Sequence, residues 1–328
     1  MRRNAMIIIL ALIICACSKS PEKTLPGDMT INLAYATIPH AALVQIALEK
    51  GYFTSLGLTV NARAYDFGKP ALASVFAGDS DLATCADTPI VFAALEGKPV
   101  GISAVIATSD RTTALVADRS AGIERPGDLA GKAIGVTKGT SAEFFLELLL
   151  VARGVNRDRT RIMDLLPDDM IPALRDGRIQ AAAVWSPYVL QLQEALGMQA
   201  VTMYGEDFYT EQFYLAGNKE FIRTHPEAMQ ALMKALMEAE TFKTREPAAA
   251  EAILSGYTKT DVPKLKIALD LFRFRVYLDG SLLTILEEET RWATSQATGF
   301  QSPMPDYMKI VQTEALSYAA PDRVRLIR

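Results

Sequence analysis

Residues 128–146 read DLAGKAIGVTKGTSAEFFL, and this stretch decides the fold. The segment 132–136 predicts a strand, 137–139 a tight glycine turn, and the residues from Thr140 onward an apolar helix. The first backbone N–H groups of a helix have no partner inside that helix, so they point at whatever group lies above the strand end. The stretch therefore predicts a receptor for a polar group.

The start of this helix is open to a second interpretation. Thr140 stands at the N-cap position, and Glu143 three residues later completes the pattern of a capping box. If these two side chains satisfy the helix end, the glycine turn needs no ligand. If Glu143 points away from the cap, it places a negative charge beside the receptor and opposes an anion.

Outward from this stretch, strands alternate with helices. Such alternation predicts mainly parallel sheets covered by helices on both faces, that is, an α/β fold. From residue 219 onward the pattern is helical, and Met229, Met233 and Met237 recur every four residues, which indicates a helix face packed in the core rather than a partner groove. The strands predicted before the opening stretch are 31–35, 58–65, 82–85 and 100–107.

The chain also repeats a pattern of helix, glycine stop, short buried strand and proline. The pattern occupies residues 70–89 and again 172–187, which predicts two lobes of one design. Polar breaks at 108–116 and 204–213 predict the two places where the chain crosses between the lobes. The predicted organisation is lobe 1 at 29–108 and 215–328, including C-terminal helices, and lobe 2 at 109–214.

Ligands of open parallel sheets bind at the carboxyl ends of the strands, and two lobes facing each other make a cleft that closes on hinges. Hydroxyl and amide groups there would hold a polar head, while Phe67, Trp185 and Tyr214 would shield an apolar body. The predicted ligand-binding residues are Thr37, His40, Phe67, Gly68, Thr84, Asp87, Thr88, Thr108, Gly139, Thr140, Ser141, Trp185, Ser186 and Tyr214.

Several of these residues have a structural alternative. Thr88 and Ser186 could cap helices, Trp185 could belong to the core at the end of a buried strand, and His40 could be an ordinary first-turn residue.

The N-terminus has the features of an export signal. Arg2 and Arg3 precede the apolar run 6–14, which is too short to span a bilayer as a helix. The run ends in ICACS, residues 14–18, which resembles a bacterial lipobox with Cys17 as the lipidated residue. This predicts a signal peptide at 1–16, a tether at 17–28 and a lipid anchor facing the periplasm or cell exterior; the alternative is an ordinary signal peptide with incidental cysteines.

Composition excludes other classes. The formal charge is −4 with no basic block, so nucleic acid is not an expected partner. Half of the residues are apolar, which suffices for well-filled cores, and Cys85 has no expected disulfide partner. No His/Cys cluster has metal-ligand spacing, so neither a metal nor a cofactor is expected.

Several segments of the sequence resemble one known family of proteins. The segments 128–132, 139–146 and 183–188, together with Gly51-Tyr52-Phe53, resemble the substrate-binding proteins of ABC importers in the nitrate, sulfonate, taurine and thiamine-precursor group. The resemblance implies a two-lobed periplasmic binding protein fold of type II. It also implies a cofactor-free monomer that passes a small solute to a membrane permease with its ATPase subunit.

The alternative is an enzyme on the same scaffold, of the thiamine-precursor or menaquinone-pathway type. Its candidate groups are His40, Cys85, Asp87 and Asp110, and the sequence contains no nucleophile elbow or phosphate loop. For the solute, Lys69 and Lys138 are the only cations expected near the cleft. A neutral or pyrimidine-like ligand is therefore as consistent with the sequence as a sulfonate.

Overall fold

Two β-sheets with helices packed against them make up the fold, which we describe from a computed structural model for residues 29–295 and 302–326. The predicted signal peptide, the tether and Cys17 lie outside the described residues. We call each sheet with its helices a lobe.

The first sheet has seven strands in the order β12-β11-β4-β10-β3-β1-β2. Strand β1 pairs in parallel with β2 and β3, whereas β10 runs antiparallel to β3 and β4. The sheet is mixed because β10 enters it from the opposite lobe and so runs against its neighbours. The strands are β1 (Thr30–Ala36), β2 (Thr59–Tyr65), β3 (Leu82–Ala86), β4 (Val100–Ser109), β10 (Glu211–Asn218), β11 (Arg273–Asp279) and β12 (Val324–Arg325).

The second sheet has five strands in the order β7-β6-β8-β5-β9. Here β6 pairs in parallel with β7 and β8, and β5 pairs antiparallel with β8 and β9. The strand of the opening sequence stretch is β6. The strands are β5 (Thr113–Asp118), β6 (Ala133–Val136), β7 (Arg161–Asp164), β8 (Ala181–Trp185) and β9 (Ala200–Tyr204).

Helices cover both sheets. Helix α9 packs against α1 and α14 in the first lobe, and α5 packs against β5 and β8 in the second. The helices are α1 (Ala42–Glu49), α2 (Tyr52–Ser55), α3 (Gly68–Phe76), α4 (Asp87–Leu95), α5 (Ser141–Ala152), α6 (Pro167–Arg175), α7 (Tyr188–Leu196), α8 (Lys219–Thr224), α9 (Pro226–Arg245), α10 (Pro247–Thr258), α11 (Val262–Leu269), α12 (Ser281–Ser295), α13 (Tyr307–Ile310) and α14 (Glu314–Ala319).

The chain passes between the sheets at two short segments. Residues 110–112 connect β4 to β5, and residues 205–210 connect β9 to β10. Both segments therefore leave or enter the first sheet at the same end of β4 and β10, which pair side by side. This arrangement places the two connections next to each other.

The C-terminal part contains a strand that the helical pattern did not predict. Residues 273–279 form β11, with Arg273 and Arg275 exposed while Val276 and Leu278 are buried. The expectation of helix alone after residue 219 is wrong there, because the free edge of β4 supplies a partner to this alternating segment. The expected core role of Met229 and Met233 is confirmed, since both are fully buried in α9.

None of the helices within 29–295 and 302–326 is long and apolar enough to cross a membrane.

A close approach of β10 to the start of β3 gives a stability prediction. A Cβ added at Gly217 of β10 would lie 2.8 Å from Leu82 Cα and closer still to the Asp81 carbonyl oxygen. We expect Gly217→Ala to destabilise the protein by about 1–3 kcal/mol, because backbone atoms cannot move aside as a flexible side chain can. Urea unfolding measures this change.

Gly256→Ala is the matched control, because Gly256 is exposed inside α10 and an added Cβ would contact nothing within 4 Å. Alanine should stabilise the helix there by up to about 1 kcal/mol. Equal destabilisation by both variants would contradict the close-approach argument.

Candidate functional site

A cavity lies between the two lobes, and we call it the interlobe cavity. The cavity is narrow in this structure: its volume is about 20 Å³, room for about one water molecule. Its walls come from the carboxyl ends of β1, β3 and β8, from the segments that follow β2 and β6, and from the start of β10. The lining residues are Ile38, Phe67, Gly68, Lys69, Ala86, Pro89, Thr140, Ser141, Trp185, Glu211 and Phe213.

A larger groove lies elsewhere, on the outside of the first lobe. It is formed by α2 and α9 and is lined by long charged side chains such as Lys234, Glu238 and Arg245. Two further grooves lie between the lobes, one beside Phe76 and Glu143 and one beside Tyr65 and Asp168. We favour the interlobe cavity over these grooves because strand ends and helix ends of both lobes converge on it.

Aromatic side chains form one wall of the interlobe cavity. Phe67 of the first lobe lies 5.5 Å from Trp185 of the second, measured between ring centroids, and Tyr188 packs edge-on against Trp185. Trp185 is 3% exposed, and its indole Nε1 has no hydrogen-bond partner among the described residues. A buried N–H without an acceptor is costly, so this atom marks a place where a ligand acceptor would be favourable.

The helix predicted from the opening stretch is α5, with Thr140 at its N-cap position. The predicted capping box does not form, because Thr140 Oγ1 donates to the Thr137 carbonyl oxygen at 2.6 Å and accepts no helix N–H, and Glu143 does not bond to the Thr140 N–H. Glu143 accepts from the backbone N–H of Gly139 at 2.7 Å, so its carboxylate closes the glycine turn. Backbone groups of the glycine turn thus form the hydrogen bonds with both side chains that the helix end would otherwise form.

Glu211 lies at the centre of the site, where β10 begins. Its Oε2 accepts hydrogen bonds from the hydroxyls of Thr112 at 3.1 Å and Thr113 at 2.8 Å, and lies 3.3 Å from His40 Nε2. Its Oε1 accepts from the Ser141 hydroxyl at 2.8 Å. One carboxylate therefore joins both lobes and the first connection, and Glu211 itself follows the second connection.

These contacts determine the ionisation of Glu211, which is 3% exposed. Burial raises the pKa of this carboxyl, but the charge and hydrogen bond of His40 and the hydroxyls of Ser141 and Thr113 outweigh burial. The net result is a pKa below the ordinary value for glutamate. Glu211 is thus a buried, ionised acceptor.

Two further carboxylates lie behind Glu211, and we call Asp87, Glu211 and Glu289 the buried acidic cluster. Asp87 accepts backbone N–H groups from Thr88 at 3.0 Å and Gln212 at 3.3 Å. Burial, followed by repulsion from Glu211, raises the pKa of Asp87 to about 7. Burial and then Asp87 raise the pKa of Glu289 well above its ordinary value, and a hydrogen bond with Thr88 offsets part of this shift.

The structure brings five of the predicted ligand-binding residues to the wall of the cavity. Three others lie just behind it: His40 bonds to Glu211, Asp87 belongs to the buried acidic cluster, and Thr88 is buried beside Asp87. Helix α4 starts at Asp87, and neither Thr88 nor Ser186 makes a capping hydrogen bond through its side chain. The five lining residues are Phe67, Gly68, Thr140, Ser141 and Trp185.

The remaining six predicted residues lie outside this lining. Thr37 donates to the Tyr65 carbonyl, Thr84 accepts from Ala36 N, and Tyr214 is fully buried with its hydroxyl donating to Gln212. Thr108 lines a small pocket beside the first connection, and Gly139 lines a groove next to Glu143. The sixth, Ser186, is buried at the end of β8 and does not reach the wall.

Sequence reasoning missed Glu211. The signal available was an acidic residue in the predicted second crossing, opposite Thr112 and Thr113 in the predicted first crossing. A hinge with two crossings brings such segments together, so a carboxylate in one and hydroxyls in the other were candidates for a contact.

The groups that an enzyme would use are not arranged for catalysis. Cys85 is fully buried, and burial followed by repulsion from Asp87 raises the pKa of its thiol. His40 is bonded to Glu211 and enclosed by the rings of Phe213 and Phe272. Within 29–295 and 302–326, no group of three or more His, Cys, Asp or Glu side chains could hold a metal ion.

Comparisons with known proteins agree with this two-lobed arrangement. The family model described as "NMT1/THI5 like" matches residues 38–250. A putative binding protein of Brucella abortus is 26% identical over 270 residues, covering 81% of this chain and 81% of that protein. The taurine-binding periplasmic protein of Escherichia coli is 26% identical over 250 residues, covering 72% of this chain and 76% of that protein.

Solved structures show the same fold. The alkanesulfonate-binding protein SsuA of Xanthomonas axonopodis pv. citri, bound to MOPS, superposes with a TM-score of 0.75 at 16% identity, over 87% of this chain and 98% of that one. The periplasmic nitrate-binding protein NrtA of Synechocystis PCC 6803 gives a TM-score of 0.71 at 16% identity, over 91% and 90%. The fold is thus that of periplasmic binding proteins.

The raised pKa of Glu289 gives a prediction for stability against pH. A carboxyl whose pKa is higher in the folded than in the unfolded state stabilises the fold below its unfolded value, and this contribution is lost as pH rises. Glu289→Gln removes the ionisable group and keeps the shape. We therefore expect its melting temperature to exceed that of the wild type by a gap that widens by several degrees from pH 5 to pH 8.

Glu287→Gln is the control, because Glu287 lies on the same helix, is 43% exposed and pairs only with Arg291 among the interactions described for it. It should change the melting temperature little at either pH. Parallel pH curves for Glu289→Gln and the wild type would show that burial does not raise the pKa of Glu289.

Proposed function

This chain belongs to the NMT1/THI5-like family, whose model matches residues 38–250, and from that premise we propose that it is the substrate-binding protein of an ABC importer. It captures a small solute outside the cytoplasm and delivers it to a membrane permease driven by an ATPase subunit. The observation that carries the proposal is the interlobe cavity, whose wall is shared by both lobes at the ends of their strands.

Hinge closure is the mechanism that this geometry supports. Residues 110–112 and 205–210 are the two connections, and rotation about them separates or joins the walls of the cavity. Contacts that join the two lobes include Phe67 with Trp185, Ser141 with Glu211, and Lys69 Nζ donating to the Lys138 carbonyl oxygen at 2.6 Å. A solute touching both walls would favour the closed arrangement.

The proposed organisation assigns residues 29–108 and 215–328 to one lobe and 109–214 to the other. The division of the strands between two sheets supports this proposal, with β4 ending at Ser109 and β10 starting at Glu211. The protein would act as a monomer held to the membrane through lipid on Cys17, with residues 17–28 as a tether.

The solute classes to test are those bound by relatives together with the class suggested by the sequence. They are sulfonates, nitrate, taurine-like amines and pyrimidine or thiamine-precursor-like compounds. An enzymatic role has less support, because the thiol of Cys85 is buried and His40 is held by Glu211.

Ligand binding should raise thermal stability, because only the folded state binds the solute. A ligand present at 100 times its dissociation constant adds about 2.7 kcal/mol to the free energy of unfolding. We expect at least one solute of the panel, or one identified by mass spectrometry of the purified protein, to raise the melting temperature. Trp185→Ala should then weaken binding of that solute more than Trp292→Ala, because Trp185 lines the cavity and Trp292 packs against Phe92 and Phe144.

The two tryptophan variants separate binding from general destabilisation, since each removes a large aromatic side chain. Equal losses of affinity would remove Trp185 from the site. If no solute of the panel raises the melting temperature and no solute co-purifies with the protein, the receptor function is rejected.

The lipid anchor gives a separate prediction. Cys17→Ser should release the protein from membranes into the soluble fraction, because a serine hydroxyl cannot take the thioether-linked lipid. Fractionation of cells expressing the full chain measures this. Cys15→Ser is the control and should leave the protein with the membranes; unchanged membrane association of Cys17→Ser would reject Cys17 as the anchor.

A further inference from the structure

We infer that two lysines of the first lobe, Lys69 and Lys264, act as clasps that favour the closed arrangement of the lobes even without a solute. Each reaches across to a different part of the second lobe. Both are positioning residues, which raise the affinity for a solute by raising the closed fraction and do so whatever its chemical class. The inference goes beyond the proposed function, and its test requires no solute.

The first step is that the lobes are closed in this structure. The interlobe cavity has a volume of about 20 Å³, room for about one water molecule. Phe67 of the first lobe and Trp185 of the second pack against each other across it, with 5.5 Å between the ring centroids. The walls must move apart before a solute can enter, so the contacts that hold them together oppose opening.

The first clasp is Lys69, at the start of α3 in the first lobe. Its Nζ donates to the carbonyl oxygen of Lys138 at 2.6 Å, in the turn that follows β6 of the second lobe. A Cβ added at Gly139 would lie 2.9 Å from this Nζ, so glycine leaves the room that the ammonium group needs. A hydrogen bond from a charged donor is stronger than one between neutral groups.

The second clasp is Lys264 of α11, a helix that packs against α10 in the first lobe. Its Nζ lies 2.7 Å and 2.9 Å from the two carboxylate oxygens of Glu194. Glu194 belongs to α7, which packs against β5 and β9 of the second lobe. Neither residue of this ion pair lines the interlobe cavity, so the pair can affect binding there only through the position of the lobes.

The clasps hold the second lobe at two separate places. Helix α5, which follows the turn held by Lys69, packs on the face of the sheet that carries Leu115 and Ala183. Helix α7 packs on the opposite face, which carries Val116 and Val184. Rotation about the two connections that separates the lobes therefore breaks both contacts.

The expected strength of each clasp is small, because both lysines are exposed. Exposed ion pairs of this kind change an equilibrium by about two- to fivefold, and salt screens them. The apparent affinity for a solute falls in proportion to the fraction of chains in the competent arrangement, so a clasp of this size adjusts affinity. A much stronger clasp would hinder entry of the solute.

The test uses Trp185 as a reporter of opening, because it is 3% exposed at the closed cavity wall and the chain has only two tryptophans. In the full chain carrying Trp292→Phe, any co-purified solute would be removed by dialysis in urea and refolding. We would then measure quenching of Trp185 fluorescence by acrylamide, which is uncharged and so insensitive to changes of surface charge. Lys69→Met and Lys264→Met should each raise the quenching constant about twofold, and together more.

Lys266→Met is the matched control. Lys266 lies two residues further along α11, is 55% exposed and pairs with Asp270 and Glu251 of its own lobe. Its substitution should leave quenching unchanged.

Two further measurements identify the ion pair as the cause. Glu194→Gln should raise quenching as much as Lys264→Met, and combining the two should add nothing, because both remove the same pair. Added sodium chloride should raise quenching in the chain that keeps the pair and should raise it less in Lys264→Met.

The inference is overturned if Trp185 of the chain with both clasps is as accessible to acrylamide as free tryptophan, since the lobes are then open without solute. It is also overturned if folded Lys69→Met or folded Lys264→Met shows unchanged quenching, or if Lys266→Met raises quenching equally. If Trp292→Phe fails to fold, the same comparison is made with both tryptophans present, because Trp292 does not line the cavity. None of these results depends on the solute panel, so the proposed function is tested separately.

Discussion

The buried carboxylate of Glu211 is the constraint on which the cleft depends. A carboxylate removed from water is stable only when donors replace its hydration, and here those donors come from three separate parts of the chain. Thr112 and Thr113 flank the first connection, His40 follows β1, and Ser141 begins α5. Satisfying one side chain therefore fixes the positions of both lobes and of the connection between them.

This constraint shapes the electrostatics around the cavity. Burial and the charges of neighbouring carboxylates raise the pKa values of Asp87 and Glu289, and the His40 imidazole is bonded to Glu211. A site that buries three carboxyl groups beside one imidazole favours protonation of Asp87 and Glu289 or the approach of a positive ligand.

Some elements could be predicted from local sequence patterns, whereas others form only beside a partner that is distant in the sequence. The β6–turn–α5 unit and the buried methionines of α9 were predictable, because glycine turns and periodic apolar residues act within a few residues of the chain. Strand β11 was not, since its alternating residues become a strand only at the free edge of β4. Thr140 occupies the predicted N-cap position, but its hydroxyl donates to the Thr137 carbonyl oxygen and accepts no hydrogen bond from a helix N–H.

The sequence by itself determined the fold class and the two-lobed organisation, because periodicity and glycine turns are local properties, and its motifs carried the resemblance to the family. Sequence analysis also named Phe67, Ser141 and Trp185 as candidates for the site, and all three line the cavity. Only the tertiary structure decided that Glu211 lies at the centre and that Tyr214 lies in the core. The physical reason is that the surroundings of a side chain are set by segments far apart in the chain: Glu211 meets His40 across 171 positions and Ser141 across 70.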